Sequence, residues 1–128
     1  MIVTFVNPIS AVAGGTVTSG TGMVDSVSAS GSNVTINLSG VTTAQRLVVT
    51  LTGVNDGTNV GNVFIPMGIL VGDTTGNGVV NASDIALVKS KSGQVVDATN
   101  FRSDVNANGA INASDIALVK SMIGAVLP

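Results

Sequence analysis

Apolar and polar residues alternate with a period of two through the first half of the chain. Such alternation is typical of β-strands that bury one face. Five or six short strands rich in Val and Thr predict an antiparallel β-sandwich over residues 1–71. The predicted strands cover residues 1–6, 17–18, 23–28, 33–38, 47–52 and 62–65.

Turn-forming residues separate these runs, and Pro66 is expected to end the last strand. Residues 1–71 are few for a sandwich, which usually needs about 100 residues. We therefore expect an incomplete module, the C-terminal part of a larger secreted protein, with an open sheet edge that recruits strands. The predicted turns lie at Gly14-Gly15, Gly31, Gly40 and Asn55-Asp56-Gly57.

A perfect internal repeat replaces this pattern in the second half. Residues 81–90 and 112–121 have the same ten-residue sequence, 31 positions apart. Apolar residues at helical spacing predict one helix in each copy, stopped by Gly93 and by Gly124. A short helix is expected between the copies, with Phe101 in the core. The predicted apolar stripe consists of Ile85, Leu87, Val88, Ile116, Leu118, Val119 and Ile123.

Each predicted helix follows a polar stretch that reads as a twelve-position calcium loop, with Asp at position 1, Asn at 5, Gly at 6 and Asp at 12. Calcium takes six to eight oxygen ligands at about 2.3–2.6 Å, and the glycine allows a sharp turn. The expected ligands of the first loop are Asp73, Thr75, Asn77, the Val79 carbonyl, Asn81 through a water, and Asp84. Those of the second are Asp104, Asn106, Asn108, the Ala110 carbonyl, Asn112 through a water, and Asp115.

Two ions are expected, and the second loop should bind more tightly. All seven acidic residues are Asp, and four of them stand at positions 1 and 12. Two carboxylates per ion predict weak to moderate affinity. Thr75 at position 3 makes the first site the weaker one. Val80 and Ile111, at position 8, are expected to pair between the loops. Runs of Asp, Asn and Gly also form plain turns, which is the simpler interpretation.

Composition excludes several classes of function. The chain contains no His, Cys, Trp, Tyr or Glu, so thiol chemistry and nucleophile–histidine triads are excluded. We expect no enzyme. Five scattered basic residues argue against nucleic-acid binding, and no apolar stretch approaches the roughly 20 residues of a membrane helix. Weak calcium loops suit a calcium-rich environment, which predicts an extracellular or cell-surface location. A β-module followed directly by such repeats resembles the tails of large bacterial surface and secreted proteins.

Residues 72–128 resemble a type I dockerin, because their duplicated loops end in Asp rather than Glu and each precedes one helix. The resemblance implies an all-α pair of EF-hand-type loop–helix repeats that presents a helix to a cohesin module. The implied partner-binding residues are Ala82, Ser83, Lys89 and Ser90 in the first copy, and Ala113, Ser114, Lys120 and Ser121 in the second. Ser83 and Ser114 could instead cap their helices, and the two lysines could be solvated charges.

Three functions follow as expectations. The first is a non-catalytic, calcium-stabilised interaction module, with the dockerin-like part at residues 72–128 attached to the sandwich at residues 1–71. The second is a purely structural cap, rigidified by calcium, or a subunit that self-associates through an open sheet edge. The third is a carbohydrate-binding module, which the absence of Trp and Tyr disfavours.

Overall fold

Six β-strands come first along the chain and two α-helices follow. The computed structural model describes all 128 residues and divides them into two units, Met1–Met67 and Gly68–Pro128. A 3₁₀ helix, Phe101–Ser103, lies between the α-helices. The elements are β1 (Ile2–Thr4), β2 (Gly14–Ser19), β3 (Met23–Ser30), β4 (Asn33–Ser39), β5 (Gln45–Asn55), β6 (Val60–Ile69), α1 (Ala82–Lys91) and α2 (Ala113–Ser121).

The strands form two three-stranded antiparallel sheets that pack together. One sheet has the order β1-β4-β3 and the other the order β2-β5-β6. In the first sheet Val3 pairs with Val34, and in the second Val17 pairs with Val49. The predicted antiparallel sandwich is thereby confirmed.

The core of the first unit comes from the alternating residues of β4 and β5. Val34 and Ile36 on β4 are fully buried. Leu47, Val49 and Leu51 on β5 are fully buried as well. Because successive side chains of a strand point to opposite faces, each strand contributes every second residue to the space between the sheets.

Two sequence predictions about strand ends were wrong. Gly14 and Gly15 begin β2 instead of forming a turn. A Cβ on Gly15 would lie only 3.1 Å from a Val27 methyl carbon and 3.2 Å from one of Leu51, so glycine allows close packing there. Pro66 does not end the last strand, because β6 continues to Ile69. β6 is an edge strand, where a missing N–H is tolerated.

The second unit is built around one residue from each loop and one from each helix. Val80, Val88 and Val119 are fully buried and Ile111 nearly so. Ile85, Ile116 and Met122 pack against this cluster. The two helices occur where the repeat predicted them, and Gly93 and Gly124 follow their C-terminal ends.

Three further predictions about this unit were wrong. Phe101 is 57% exposed instead of buried, and Ile123 is 55% exposed. Val80 and Ile111 do not pair with each other through the backbone. Val80 donates its N–H to the Ala125 carbonyl, and Ile111 accepts the N–H of Gly93. Each loop is therefore bonded to the chain that follows the opposite helix.

Candidate metal centre

The first residue of each loop is an aspartate whose carboxylate organises the turn. In the first loop, Asp73 Oδ1 accepts the N–H groups of Gly76 at 2.8 Å and Asn77 at 3.0 Å. Its Oδ2 accepts the N–H of Gly78 at 2.8 Å. Several main-chain donors thus converge on one carboxylate and draw the loop around it.

The second loop repeats this arrangement 31 residues later. Asp104 Oδ1 accepts the N–H of Asn108 at 3.0 Å, and Asp104 Oδ2 accepts that of Gly109 at 2.9 Å. The position-6 glycines, Gly78 and Gly109, have φ values of 83° and 86°. L-residues with a Cβ rarely adopt such values, which explains glycine at this position.

The last residue of each loop is a fully buried aspartate on the first turn of the following helix. Asp84 Oδ1 accepts the Thr75 N–H at 3.0 Å, and Asp84 Oδ2 accepts the Asn81 N–H at 2.8 Å. Asp115 bonds in the same way to the N–H groups of Asn106 and Asn112, at 3.2 and 2.9 Å. Each carboxylate therefore joins the start of its loop to the start of its helix, where the helix dipole also favours negative charge.

Opposing effects act on the pKa of Asp84. Burial raises the pKa of this carboxyl group, because a charged form is poorly solvated inside a protein. Hydrogen bonds from the N–H groups of Asn81 and Thr75 and from the Thr75 hydroxyl lower it. The hydrogen bonds prevail, so that the pKa of Asp84 lies below its ordinary value. The group is a carboxylate at neutral pH, the form that binds a cation.

The position-9 asparagines are the helix N-caps. The side-chain oxygens of Asn81 and Asn112 each accept an N–H at 2.8 Å, from Ser83 and Ser114 respectively. Together with Asp84 and Asp115 they form capping boxes. The alternative in which the two serines cap their helices is therefore wrong, because these serines lie within the first turn.

The main-chain carbonyl of Val79 makes no cross-strand hydrogen bond in the local strand pairing. Val79 lies opposite Val126 in an isolated antiparallel bridge. The cross-strand bonds use the Gly78 carbonyl and the Val80 N–H instead. Ala110 has a bridge partner of its own, Val95. The side-chain oxygens of the position-5 residues Asn77 and Asn108 accept the N–H of the residue at position 7.

The two loops differ at position 3. Asn106 Nδ2 donates to the Ser114 hydroxyl at 2.7 Å, and Ser114 Oγ donates to Asn112. In the first loop Thr75 takes this position, and its hydroxyl donates to Asp84 at 2.9 Å. Thr75 is therefore turned towards position 12, whereas Asn106 is turned towards the helix. The two helix surfaces have the same sequence but different supporting contacts.

The donor set of both loops fits a hard divalent cation. Each loop contains two aspartates, asparagine side chains and main-chain carbonyls, and the first adds the Thr75 hydroxyl. No group of three or more His, Cys, Asp or Glu side chains occurs in the structure. Sites of softer metals need His or Cys, which this chain lacks. All-oxygen sets of this kind suit calcium.

Residues 71–124 match the family model described as the dockerin type I domain. These residues form a dockerin type I domain. No curated protein and no solved structure matches the chain. Dockerin type I domains typically bind Ca²⁺ and dockerins bind cohesin modules. The dockerin is a non-catalytic module, and the N-terminal β region has no assigned family.

Dockerin-containing proteins are generally secreted or lie at the cell surface. No helix in the structure is both long enough and apolar enough to cross a lipid bilayer. All the side chains at the implied partner-reading positions are exposed. They are Ala82, Ser83, Lys89, Ser90, Ala113, Ser114, Lys120 and Ser121.

Proposed function

We propose that the dockerin domain of this chain binds two calcium ions and attaches the β region to a cohesin module. The observation that supports calcium binding is the duplicated geometry of Asp73 with Asp84 and of Asp104 with Asp115. In each loop two carboxylates are held by main-chain donors in the same way, at the same offset. The proposed ligands are the twelve residues predicted from the sequence, at positions 1, 3, 5, 7, 9 and 12 of each loop.

Calcium should also supply much of the stability of this domain. Four residues, Val80, Val88, Ile111 and Val119, form its buried apolar cluster, which is small for an independent core. Two carboxylates of this domain, Asp84 and Asp115, are fully buried. A bound cation offsets their charge and connects each loop to its helix. Binding and folding should therefore be coupled.

Calorimetric titration and thermal unfolding after chelation test this proposal. The wild-type chain should bind two ions, and calcium should raise its melting temperature. Asp104→Ala should lose one ion and most of that rise. Asp25→Ala is the matched control, because Asp25 is an exposed aspartate on β3. Absence of binding at millimolar calcium would overturn the proposal.

The proposed partner surface consists of the first residues of each helix together with Lys and Ser near its end. Its residues are exposed in both copies, and each copy carries one lysine, Lys89 or Lys120. A panel of recombinant cohesin modules tests it in calcium and in chelator. Replacing Ser83, Lys89, Ser114 and Lys120 together by alanine should abolish the complex while the domain stays folded in calcium. Its melting temperature should fall only by the effect of losing the Asn106–Ser114 hydrogen bond. The same four-residue variant binding as tightly as wild type would refute the assignment of this surface.

A second candidate function is a calcium-rigidified cap or a self-associating surface subunit. It is favoured by β6, an uncharged edge strand on which Val60 and Phe64 are 70% and 67% exposed. Edge strands with exposed apolar residues pair with other strands. Calcium-dependent stability without any cohesin complex, together with concentration-dependent association, would favour this function.

Carbohydrate binding stays a minor alternative, tested by calcium-dependent retention on a glycan array.

A further inference from the structure

Asparagine precedes glycine at only two places in the chain, and both are position 5 of a calcium loop. Of the twelve asparagines, only Asn77 and Asn108 have this neighbour. We propose that Asn77 and Asn108 are sites of spontaneous deamidation, protected while the loops are folded and exposed to reaction when calcium is lost. The calcium dependence rests on the proposed function, whereas the location of the sites does not.

The reaction needs only water. The main-chain nitrogen of the glycine attacks the side-chain amide carbon of the preceding asparagine, and a new C–N bond closes a five-membered imide. The side-chain amide nitrogen leaves as ammonia, taking up the proton that the glycine nitrogen gives up. Water then opens the imide at either carbonyl, which leaves aspartate or isoaspartate. Glycine promotes the attack because no Cβ shields its nitrogen or restricts its backbone.

In the folded loops this attacking nitrogen is held in a hydrogen bond. Gly78 donates its N–H to Asp73 Oδ2 at 2.8 Å, and Gly109 donates to Asp104 Oδ2 at 2.9 Å. Both bonds are charge-assisted and therefore strong. The nitrogen must give up this proton and turn towards the asparagine side chain before it can attack. The hydrogen bond opposes both steps.

The other reacting group is fixed as well. Asn77 Oδ1 accepts the N–H of Val79 at 3.0 Å, and Asn108 Oδ1 accepts that of Ala110 at 2.9 Å. These bonds hold the side-chain amide in one orientation. Calcium on the position-1 carboxylate and on the asparagine oxygen would hold both groups more firmly. Loss of the ion frees them together, since all these contacts belong to the same loop.

The products change the loop in opposite ways. Aspartate keeps the length of the main chain and adds a third carboxylate, which raises calcium affinity. Isoaspartate inserts a methylene group into the main chain between positions 5 and 6. That insertion moves Gly78 or Gly109 away from the turn that the loop requires. A domain that has spent time without calcium would therefore carry a lasting change in its binding sites.

Peptide mapping by mass spectrometry of the full chain tests the inference. Aliquots are incubated at mildly alkaline pH in calcium, in chelator and in urea, and the conversion of each asparagine to aspartate or isoaspartate is followed. Conversion should be confined to Asn77 and Asn108. It should be fastest in urea, slower in chelator and at least several-fold slower in calcium than in chelator. The ten other asparagines serve as internal controls.

Asp104→Asn provides a matched variant, because it weakens the acceptor of the Gly109 N–H and leaves the first loop unaltered. It should speed conversion of Asn108 in calcium more than conversion of Asn77, whose rate rises only as far as the variant destabilises the whole domain. Conversion spread evenly over all asparagines, or equally fast in calcium and in urea, would overturn the inference. Equal rates in calcium and chelator overturn the calcium dependence if calorimetry shows bound ions. If calorimetry shows no binding, the same result refutes the proposed calcium function instead.

Discussion

The backbone N–H of Gly124 donates to the carbonyl oxygen of Val80 at 3.0 Å. Gly124 follows the second helix, whereas Val80 belongs to the first loop. The reverse contact joins Gly93, after the first helix, to Ile111 in the second loop at 2.9 Å. Each loop is therefore hydrogen-bonded to the residue that follows the helix of the other repeat, so the two loops belong to one folding unit.

This reciprocal closure predicts that core substitutions in one loop destabilise the whole domain. Ile111→Ala removes a buried side chain of the shared cluster and should lower the free energy of unfolding by about 2–5 kcal/mol. Urea denaturation in calcium measures it. Ile123→Ala is the matched control, because Ile123 is 55% exposed and should cost less than about 0.5 kcal/mol. Equal effects of the two substitutions would contradict the structure.

The internal repeat allowed the helices and loops of the second half of the chain to be predicted from the sequence. Two copies of the same ten residues, each with an aspartate at the loop start and a glycine after the helix, indicated two equivalent loop–helix segments. What could not be predicted is how the copies contact each other. The pairing of Val80 with Ala125 depends on the path of the chain after the second helix, and local periodicity carries no information about that path.

Other errors have similar causes. The sequence predicts Phe101 in the core, yet the cluster around Ile111 is filled by aliphatic residues from the loops and helices. Pro66 was expected to end a strand, which holds for central strands but not for an edge strand such as β6. Whether a strand lies at an edge is a property of the sheet, and the local sequence does not reveal it.

The exposed edge of β6 predicts self-association. β6 contains no charged residue, and its one proline, Pro66, lies in its second half, so Val60–Ile65 lacks the features that usually protect an edge. Phe64→Ser should reduce concentration-dependent association in analytical ultracentrifugation. The melting temperature should change little, because Phe64 is already largely exposed. Phe101→Ser, a substitution of an exposed phenylalanine in the dockerin domain, should leave association unchanged. A wild-type chain that stays monomeric at all concentrations would refute this prediction.

Asp56 should titrate at an unusually low pH. Its Oδ1 accepts the N–H groups of Asn59 at 2.7 Å and Thr58 at 3.0 Å, and its Oδ2 accepts the Asn7 side chain at 3.2 Å. These hydrogen bonds, that from Asn59 first, lower the pKa of Asp56 from 3.8 to about 2. Because the folded pKa lies below the unfolded one, the stabilisation is present above pH 3.8 and is lost as the pH falls towards 2.

NMR titration of the carboxyl carbons measures this pKa directly. Asp56→Asn should reduce the pH dependence of stability between those two values. Asn7→Ala removes one of the weaker donors, so the pKa of Asp56 should rise only slightly. A measured value for Asp56 close to 3.8 would show that the turn between β5 and β6 does not hold the carboxylate in this way.

The residue at position 3 should account for the expected difference in calcium affinity between the two loops. Thr75→Asn supplies an amide oxygen in place of a hydroxyl and provides a donor for Ser83, as Asn106 does for Ser114. Calcium affinity of the first loop should rise several-fold. The reciprocal change, Asn106→Thr, should weaken the second loop by a similar factor, because it removes the same oxygen and the same contact.

Calorimetry on both variants, each compared with the wild type, separates the two sites. If Thr75→Asn left the first site unchanged while Asn106→Thr weakened the second, position 3 would not explain the difference in calcium affinity between the two loops.

The residue at position 3 should also influence which helix binds the partner. Ser114 is held by Asn106 and Ser83 lacks that donor, so a cohesin should distinguish the two helices of the wild type. Thr75→Asn removes this difference. Two variants of that protein, each with only one helix able to bind, should then compete for the same cohesin with nearly equal affinity.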